Sequence, residues 1–438
     1  MKLTIIGGGG FRVPLIVEAA AAAQRTSPIE EIVLHDVSPA RQERILAVIR
    51  DMPSAASVRV RAVADLATAL RDADFVFVAI RLGGTNGRVR DERIALEAGV
   101  LGQETVGAGG LAYAWRTVPA TLALAEAIRS AVPRAWVINF TNPAGIVTET
   151  MQKVLGDRVV GICDTPIGLI RRALVSAGMP GSKDVDVDYV GLNHLGWLRA
   201  LRVDGVDLLP GLLASPRLEN LEEAHLLGAD WIRALRAIPN EYLFYYYRHR
   251  QALESARERP LTRGEYLHEQ QTRFFDESAG DAWQRWNDVR AKREQTYMTE
   301  GRRPGARRRP QDVEAGGYHR VALDLMSALA TGASTTAVLN VRNGAVVPSL
   351  PSDAVIETAC IVAGGRITPS PVAPLTGDML GLVQQVKASE QLIIEAALGG
   401  SKQVAWRAFA AHPLIDSLDI AADLVDRYLD EAPALSRS

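Results

Sequence analysis

The residue types with most chemical potential lie in three short polar turns. Cys163 and Asp164 stand in Gly161-Ile162-Cys163-Asp164-Thr165-Pro166, His194 in Gly191-Leu192-Asn193-His194, and Asn142 in Asn139-Phe140-Thr141-Asn142-Pro143. A thiolate and an imidazole, completed by substrate oxygens, can ligate a divalent metal. Manganese suits such a set, although thiolate is a softer donor than it usually takes. Read singly, Cys163 is a buried inert thiol and His194 a core histidine; read together with Asp164, Asn193 and Asn142, they make a metal site. Gly7, Gly8, Gly9 and Gly10 form a second constellation directly after the apolar run Leu3-Thr4-Ile5-Ile6. A glycine turn between a strand and a helix lets backbone approach a pyrophosphate at the helix N-terminus. Asp36, closing the next apolar run, can accept from a ribose diol, which favours NAD over NADP. The third glycine of the usual fingerprint is replaced by Arg12, after Phe11, so the turn also reads as a plain tight turn. Tyr242 opens the run Tyr242-Leu243-Phe244-Tyr245-Tyr246-Tyr247, most of which reads as a packing face. A tyrosine acts as a base only where a cation lowers its pKa from about 10. Arg81 and Arg88, around Gly83-Gly84, suit a phosphate or carboxylate, or simply a solvated loop.

The elements that must hold these residues follow from the apolar pattern. Strands are expected at 2–6, 31–36, 58–63, 75–80, 136–140 and 159–163, with helices at 15–24, 41–50, 65–72 and 117–131. Uncharged strands alternating with helices predict a doubly wound parallel sheet of Rossmann type, covered on both faces. After residue 170 the rhythm changes. Strands are expected at 185–190, 198–203 and near 335–348, with a turn at Asn343-Gly344. Long helices are expected at 217–237, 264–298, 311–331, 381–398 and 416–430, and an exposed arginine-rich loop at 300–310. The expected class is therefore α/β: a nucleotide-binding domain over 1–170, then an α+β domain over 171–438 with a small antiparallel sheet, for substrate, metal and oligomerisation. Two domains also suit 438 residues. Lys and Arg number 49 against 51 Asp and Glu, so overall charge gives no pull toward nucleic acid or membrane. No targeting segment and no membrane-spanning run stands out, and two distant cysteines make no disulfide framework. A reducing cytoplasm is the expected compartment.

In these residues the chain resembles glycoside hydrolase family 4, the NAD- and metal-dependent glycosidases. The resemblance runs through Arg88 to Ile94, Gly99-Val100-Leu101-Gly102-Gln103-Glu104-Thr105, Gly107 to Gly110, Asn139 to Gly145, Cys163 to Gly168, Gly191 to His194 and Pro239 to Tyr246, in order over roughly the first 250 residues. It implies a hydrolase of 6-phosphoglucosides acting by transient oxidation at C3 with NAD+, loss of the C2 proton, elimination of the C1 oxygen, addition of water and reduction at C3. It further implies Cys163 and His194 as ligands of Mn2+. Asn142, Asn193 and Arg88 would serve the sugar hydroxyls and 6-phosphate, Tyr242 the C2 proton, and Asp164 the leaving group. Gly7 to Gly10, Phe11, Arg12 and Asp36 would hold NAD. Among its subgroups the chain looks most like 6-phospho-β-glucosidases, acting as a homo-oligomer (dimer or tetramer) on a small phosphosugar.

Three places depart from the family pattern. Gly10-Phe11-Arg12-Val13-Pro14 stands where a Ser and a Thr-Pro are usual. Val313-Glu314-Ala315-Gly316-Gly317-Tyr318 lacks the arginine of an Arg-Gly-Gly-Ala stretch, for which Arg302, Arg303 and Arg307 to Arg309 are possible substitutes. Asp164 is the residue of α-specific subgroups, β-specific ones commonly carrying asparagine. The alternatives are thus a 6-phospho-α-glucosidase, a family-4 glycosidase for unphosphorylated sugars, an NAD-dependent hydroxy-acid dehydrogenase of lactate/malate type, and a non-catalytic nucleotide sensor. Cys360 is expected to be a buried structural thiol.

Overall fold

The structure is a computed structural model that describes residues 1–23, 29–54, 57–276, 280–302, 308–309, 312 and 317–431. Its strands are β1 (Lys2–Ile6), β2 (Glu31–His35), β3 (Arg59–Ala62), β4 (Phe75–Val78), β5 (Trp136–Asn139), β6 (Val159–Gly161), β7 (Val185–Leu192), β8 (Leu195–Val203), β9 (Val206–Asp207), β10 (Ile238–Pro239), β11 (Thr335–Arg342), β12 (Val355–Ala363) and β13 (Arg366–Pro369). The first six are parallel in the order β3-β2-β1-β4-β5-β6. That is the doubly wound arrangement expected from their uncharged runs, which reverses direction between β1 and β4.

The antiparallel strands extend this same sheet. β11 pairs with β6 through Asn340 and Gly161, and the order continues β12-β7-β8-β10, with β13 beside β12 and β9 beside β8. A side chain at Gly161 would run into Thr148 and Asn340, so the junction needs its glycine. One apolar cluster joins β1 and β2 to helices Val13–Ala22, Pro39–Arg50 and Tyr318–Thr331, and another packs β4 and β5 on helices Gly107–Ala131 and Ala144–Leu155. The last three helices, Gly377–Gly399, Lys402–Ala411 and Leu418–Glu431, close over Gly107–Ala131. Among the described residues, no helix is long and apolar enough to cross a membrane.

Several expectations shift for local reasons. The helix expected at 117–131 starts at Gly107, because Gly109 and Gly110 lie directly on the backbone of Gln103 and Thr105, where a side chain would collide. The stretch expected at 217–237 breaks into Pro216–Asn220, Glu222–Leu227 and Ala229–Leu235, since Leu221 is extended and Gly228 ends the second piece. The run 264–298 is two helices, Arg263–Asp276 and Ala282–Gln295; Asp281 caps the second by accepting from the Gln284 amide at 2.9 Å. Helices Gly84–Glu97, Ala144–Leu155, Thr165–Ala177 and Lys402–Ala411 carried too many glycines or small residues to stand out, and β12 lay in an unflagged apolar run. The expected loop 300–310 is not uniformly exposed: the Arg302 and Arg308 side chains are buried against Glu222. Gln24, Arg303, Arg307, Pro310 and 313–316 lie outside the described residues. Cys360 is a buried free thiol on β12.

Candidate active site

The carboxyl ends of β1, β2, β5 and β6 deliver Gly7, Asp36, Asn142 and Cys163 to one edge of the sheet, where doubly wound folds place their ligands. His194 forms the two-residue turn between β7 and β8 with Asn193, at a φ of 65°. Tyr242 follows β10 in a short 3-10 turn, with Asn240 accepting from its amide at 3.0 Å. The same Asn240 donates to Thr165 Oγ1 at 2.9 Å, tying the Tyr242 turn to the helix that begins beside Cys163.

The thiol and imidazole meet as the sequence suggested. Cys163 Sγ lies 3.4 Å from His194 Nε2 and 3.2 Å from Thr165 Oγ1, and His194 Nδ1 lies 2.9 Å from Thr105 Oγ1. Burial pushes the His194 pKa down to about 3, so the ring is neutral. With its Nδ1 proton on Thr105, the lone pair of Nε2 faces the sulfur, as a metal ligand requires. Burial and the Glu357 and Asp164 charges raise the thiol, so without a metal it is protonated. Two convergent donors with this polarity fit a divalent ion whose other ligands are substrate oxygens. Among the described residues, no third His, Cys, Asp or Glu joins them. Tyr242 stacks on His194, ring centroids 3.7 Å apart and planes within 3°. Burial raises its pKa, and the Glu241 and Asp164 charges oppose ionisation further.

The glycine turn fits a dinucleotide. A side chain at Gly7 would strike the Ala79 carbonyl, and the amides of Gly7 and Gly8 both donate to His35 O at 2.9 and 2.8 Å, holding β1 against β2. Gly9 donates to Asp36 Oδ2 at 2.8 Å, so Gly8 and Gly9 shape the turn while Gly7 and Gly10 face the cavity. The amides of Phe11 and Arg12, just before helix Val13–Ala22, have no acceptor among the described residues and offer two donors to an anion. The second half of the chain pins them: the Trp286 indole donates to Phe11 O and the Tyr318 hydroxyl to Arg12 O, each at 2.7 Å.

A cavity of about 730 Å³ joins the two constellations. Gly7, Gly10, Phe11, Arg12 and Asp36 line it together with Cys163, Asp164, His194 and Tyr242, and so do Arg88 and Asn142. Asn193 does not; its amide turns to Glu357 Oε1 at 3.0 Å. Arg88 is buried in helix Gly84–Glu97, not in a loop, bonded to Glu92 at 2.7 Å and Glu104 at 2.5 Å. The Gln103-Glu104-Thr105 run thereby gains three roles: Gln103 Oε1 accepts from the Thr105 and Val106 amides, Glu104 binds Arg88, and Thr105 orients His194.

Other participants escaped the sequence reading. Glu294 was unflagged: Arg12, expected to hold NAD, donates to it at 3.4 Å and to Asp164 at 3.5 Å, its guanidinium 5.1 Å over the Tyr318 ring. Tyr297 donates to Glu241 at 2.7 Å, and burial raises that carboxyl to about 7 despite Arg172 at 3.0 Å. The paired residues lie between 56 and 282 positions apart in the sequence, and no spacing announces them.

Behind the site, Glu357 accepts from Asn193, Asn340 and Tyr189 at 3.0–3.1 Å, and burial raises it to about 7. Its folded pKa lies above that of the unfolded chain, so its stabilising contribution is complete below about pH 4.5 and lost as pH rises through about 7. Glu357→Gln, neutral at every pH, should therefore gain up to about 3 kcal/mol on the wild type between pH 5 and pH 8. Urea midpoints at the two pH values measure this; an offset that stays constant would mean that Glu357 does not titrate there.

A glycine turn for phosphate at the edge of a parallel sheet, sharing one cavity with a thiol–imidazole pair, defines an α/β enzyme of nucleotide-binding type. The chain belongs to family 4 of the glycosyl hydrolases. The model of Family 4 glycosyl hydrolase matches residues 2–178, and that of the Family 4 glycosyl hydrolase C-terminal domain matches residues 189–415. A probable 6-phospho-beta-glucosidase of Bacillus subtilis is 31% identical over 98% of this chain and 96% of its own length. The 6-phospho-beta glucosidase of Thermotoga maritima, solved with manganese, NAD+ and glucose-6-phosphate, superposes with a TM-score of 0.83 at 26% identity, covering 99% of each chain. A 6-phospho-alpha-glucosidase from gut microorganisms, solved with NAD and Mn2+, gives 0.80 at 25%, covering 99% of this chain and 98% of its own.

Proposed function

We propose that this chain hydrolyses 6-phospho-β-glucosides with NAD+ and a divalent metal, Mn2+ in the first place. The observation that carries the reading is the stack of Tyr242 on His194, one ring from Cys163, in a cavity that also opens on the glycine turn. What the Bacillus and Thermotoga relatives are named for, and what the latter binds, supports it. Cys163 and His194 hold the metal; Gly7, Gly8, Gly9, Gly10, Phe11, Arg12 and Asp36 form the nucleotide cradle; Arg88 and Asn142 serve the substrate, while Asn193 braces Glu357 behind the site. When bound, NAD+ supplies a hydride acceptor and the metal a Lewis acid that acidifies a proton beside a carbonyl. Tyr242 accepts the C2 proton, Thr105 keeps His194 in its ligating tautomer, and the largely buried wall limits water around the reacting carbons.

Asp164 favours a second reading, a 6-phospho-α-glucosidase, because it is the residue type suited to protonating the leaving oxygen. Its position favours the first: Arg12 donates to it, leaving Asp164 as an acceptor rather than as a donor to the leaving group. Purified protein with NAD+, Mn2+ and reductant should release nitrophenol from p-nitrophenyl β-glucoside 6-phosphate and stop when either cofactor is withheld. Release from the α-anomer alone would establish the second reading, and release from neither would reject both.

We assign residues 1–170 to NAD, with Arg88, Asn142 and Cys163 reaching from them to substrate and metal, and residues 171–438 to the rest of the substrate and metal site and to subunit contacts. A homo-oligomer, dimer or tetramer, is read from Trp231 and Trp406, 40% and 42% exposed, and light scattering gives its mass. The two buried free thiols suit the reducing cytoplasm.

A further inference from the structure

Most arginines around the cavity are already matched by carboxylates. Arg88 meets Glu92 and Glu104, Arg172 meets Glu223 and Glu241, Arg308 meets Glu222, and Arg12 meets Asp164 and Glu294. Arg302, one of the substitutes considered for the arginine missing near Val313, is likewise held by Glu222, and Arg309 by Asp312.

Arg293 differs. It lines the cavity from the last turn of helix Ala282–Gln295, with its guanidinium 5.9 Å from the centre of the Phe11 ring. Among the described residues that guanidinium has no hydrogen bond and no carboxylate within 4 Å. Its immediate neighbour Arg263 also lines the cavity and donates only to neutral oxygens, Thr296 Oγ1 at 2.7 Å and the Arg293 carbonyl at 3.0 Å. Arg12, Arg263 and Arg88 all repel the Arg293 charge, and only Glu294 offsets them. A shielded cation among cations is costly unless an anion completes the cluster. A phosphate monoester, with up to two charges and three acceptor oxygens, matches two guanidinium forks that no carboxylate occupies.

We propose that Arg293 binds the 6-phosphate of the sugar, supplying from helix Ala282–Gln295 the arginine that the Val313–Tyr318 stretch lacks. The inference rests on the phosphosugar reading above. The diphosphate of the dinucleotide has its own donors in the amides of Phe11 and Arg12, so Arg293 serves the substrate side.

The test is titration calorimetry of the NAD+-loaded protein with glucose 6-phosphate and with glucose. Wild type should prefer the phosphorylated sugar. In Arg293→Gln the glucose 6-phosphate affinity should fall about 30-fold, the loss expected for a charge-assisted contact, while glucose stays within about 2-fold. Arg293→Lys should recover part of the loss, and neither variant should melt below wild type, since an unmatched charge is removed or kept. A preference for glucose 6-phosphate that survives in Arg293→Gln would overturn the assignment while leaving the phosphosugar reading intact. A fall in NAD+ affinity with that preference unchanged would also overturn it, placing Arg293 on the diphosphate. A wild type that binds glucose 6-phosphate no better than glucose would overturn the phosphosugar reading and this inference together.

Discussion

Replacing Cys163 with alanine should lower glycoside cleavage at least ~1000-fold and remove measurable Mn2+ binding, with NAD+ affinity kept within about 2-fold. Among the described residues the sulfur is one of two soft or borderline donors that converge here, 3.4 Å from His194 Nε2. Without it, a single neutral imidazole faces the cavity, and one such donor competes poorly with water for a divalent ion. The glycine turn follows β1 and is held by Trp286 and Tyr318 through the Phe11 and Arg12 carbonyls, whereas the Cys163 sulfur bonds to Thr165 and His194. Folding should suffer little, since loss of one buried sulfur costs on the order of 1 kcal/mol. Calorimetric titration with Mn2+ and with NAD+, beside the nitrophenol assay, separates these effects. Activity within tenfold of wild type would remove Cys163 from the metal site.

The parallel half of the fold was legible because its strands, the exposed edge strand β3 apart, are buried on both faces and so read as apolar runs between helices. Phe75-Val76-Phe77-Val78 is fully buried as β4, and Val159-Val160-Gly161 as β6. The cavity's first constellation was legible for the same reason: β1, β2 and β6 end where glycine, aspartate and cysteine follow, and a parallel sheet collects such ends along one edge. The helices around it were harder. Gly84–Glu97 and the start of Gly107–Ala131 are rich in residues that weaken isolated helices, and they hold because backbone packs directly on backbone there. Arg12 shows the limit most clearly. From the sequence it was a fault in a glycine fingerprint; in the fold it bridges Asp164 on one side to Glu294 on the other. Asn193 shows the converse, a polar residue beside a site residue whose amide serves Glu357 and not the cavity. Hydrogen bonds between residues so far apart in sequence leave no local pattern to read.

Tyr242→Phe should lower kcat about 10²–10⁴-fold and abolish deuterium uptake at C2 of the product in D2O, while NAD+ and Mn2+ still bind. The substitution removes one oxygen and keeps the ring, so the 3.7 Å stack on His194 survives and the Cys163–His194 pair keeps its support. The hydroxyl, by contrast, has no substitute nearby: Tyr297 is engaged with Glu241, and Asp164 with Arg12. Burial and the Glu241 and Asp164 charges raise the Tyr242 pKa, and a hydrogen bond with Tyr297 opposes them. Without a cation close by, the phenol therefore keeps its proton and cannot act as the base. The place for such a cation is the Cys163–His194 pair, beside Nε2 of the ring on which Tyr242 stacks. Tyr242 and Cys163 should then act as one unit, and their effects should not add. The double variant Cys163→Ala/Tyr242→Phe should be no slower than Cys163→Ala alone, to within about 3-fold. If the two losses instead multiply, Tyr242 works without the metal site, and the proton is removed by a base that does not depend on the cation.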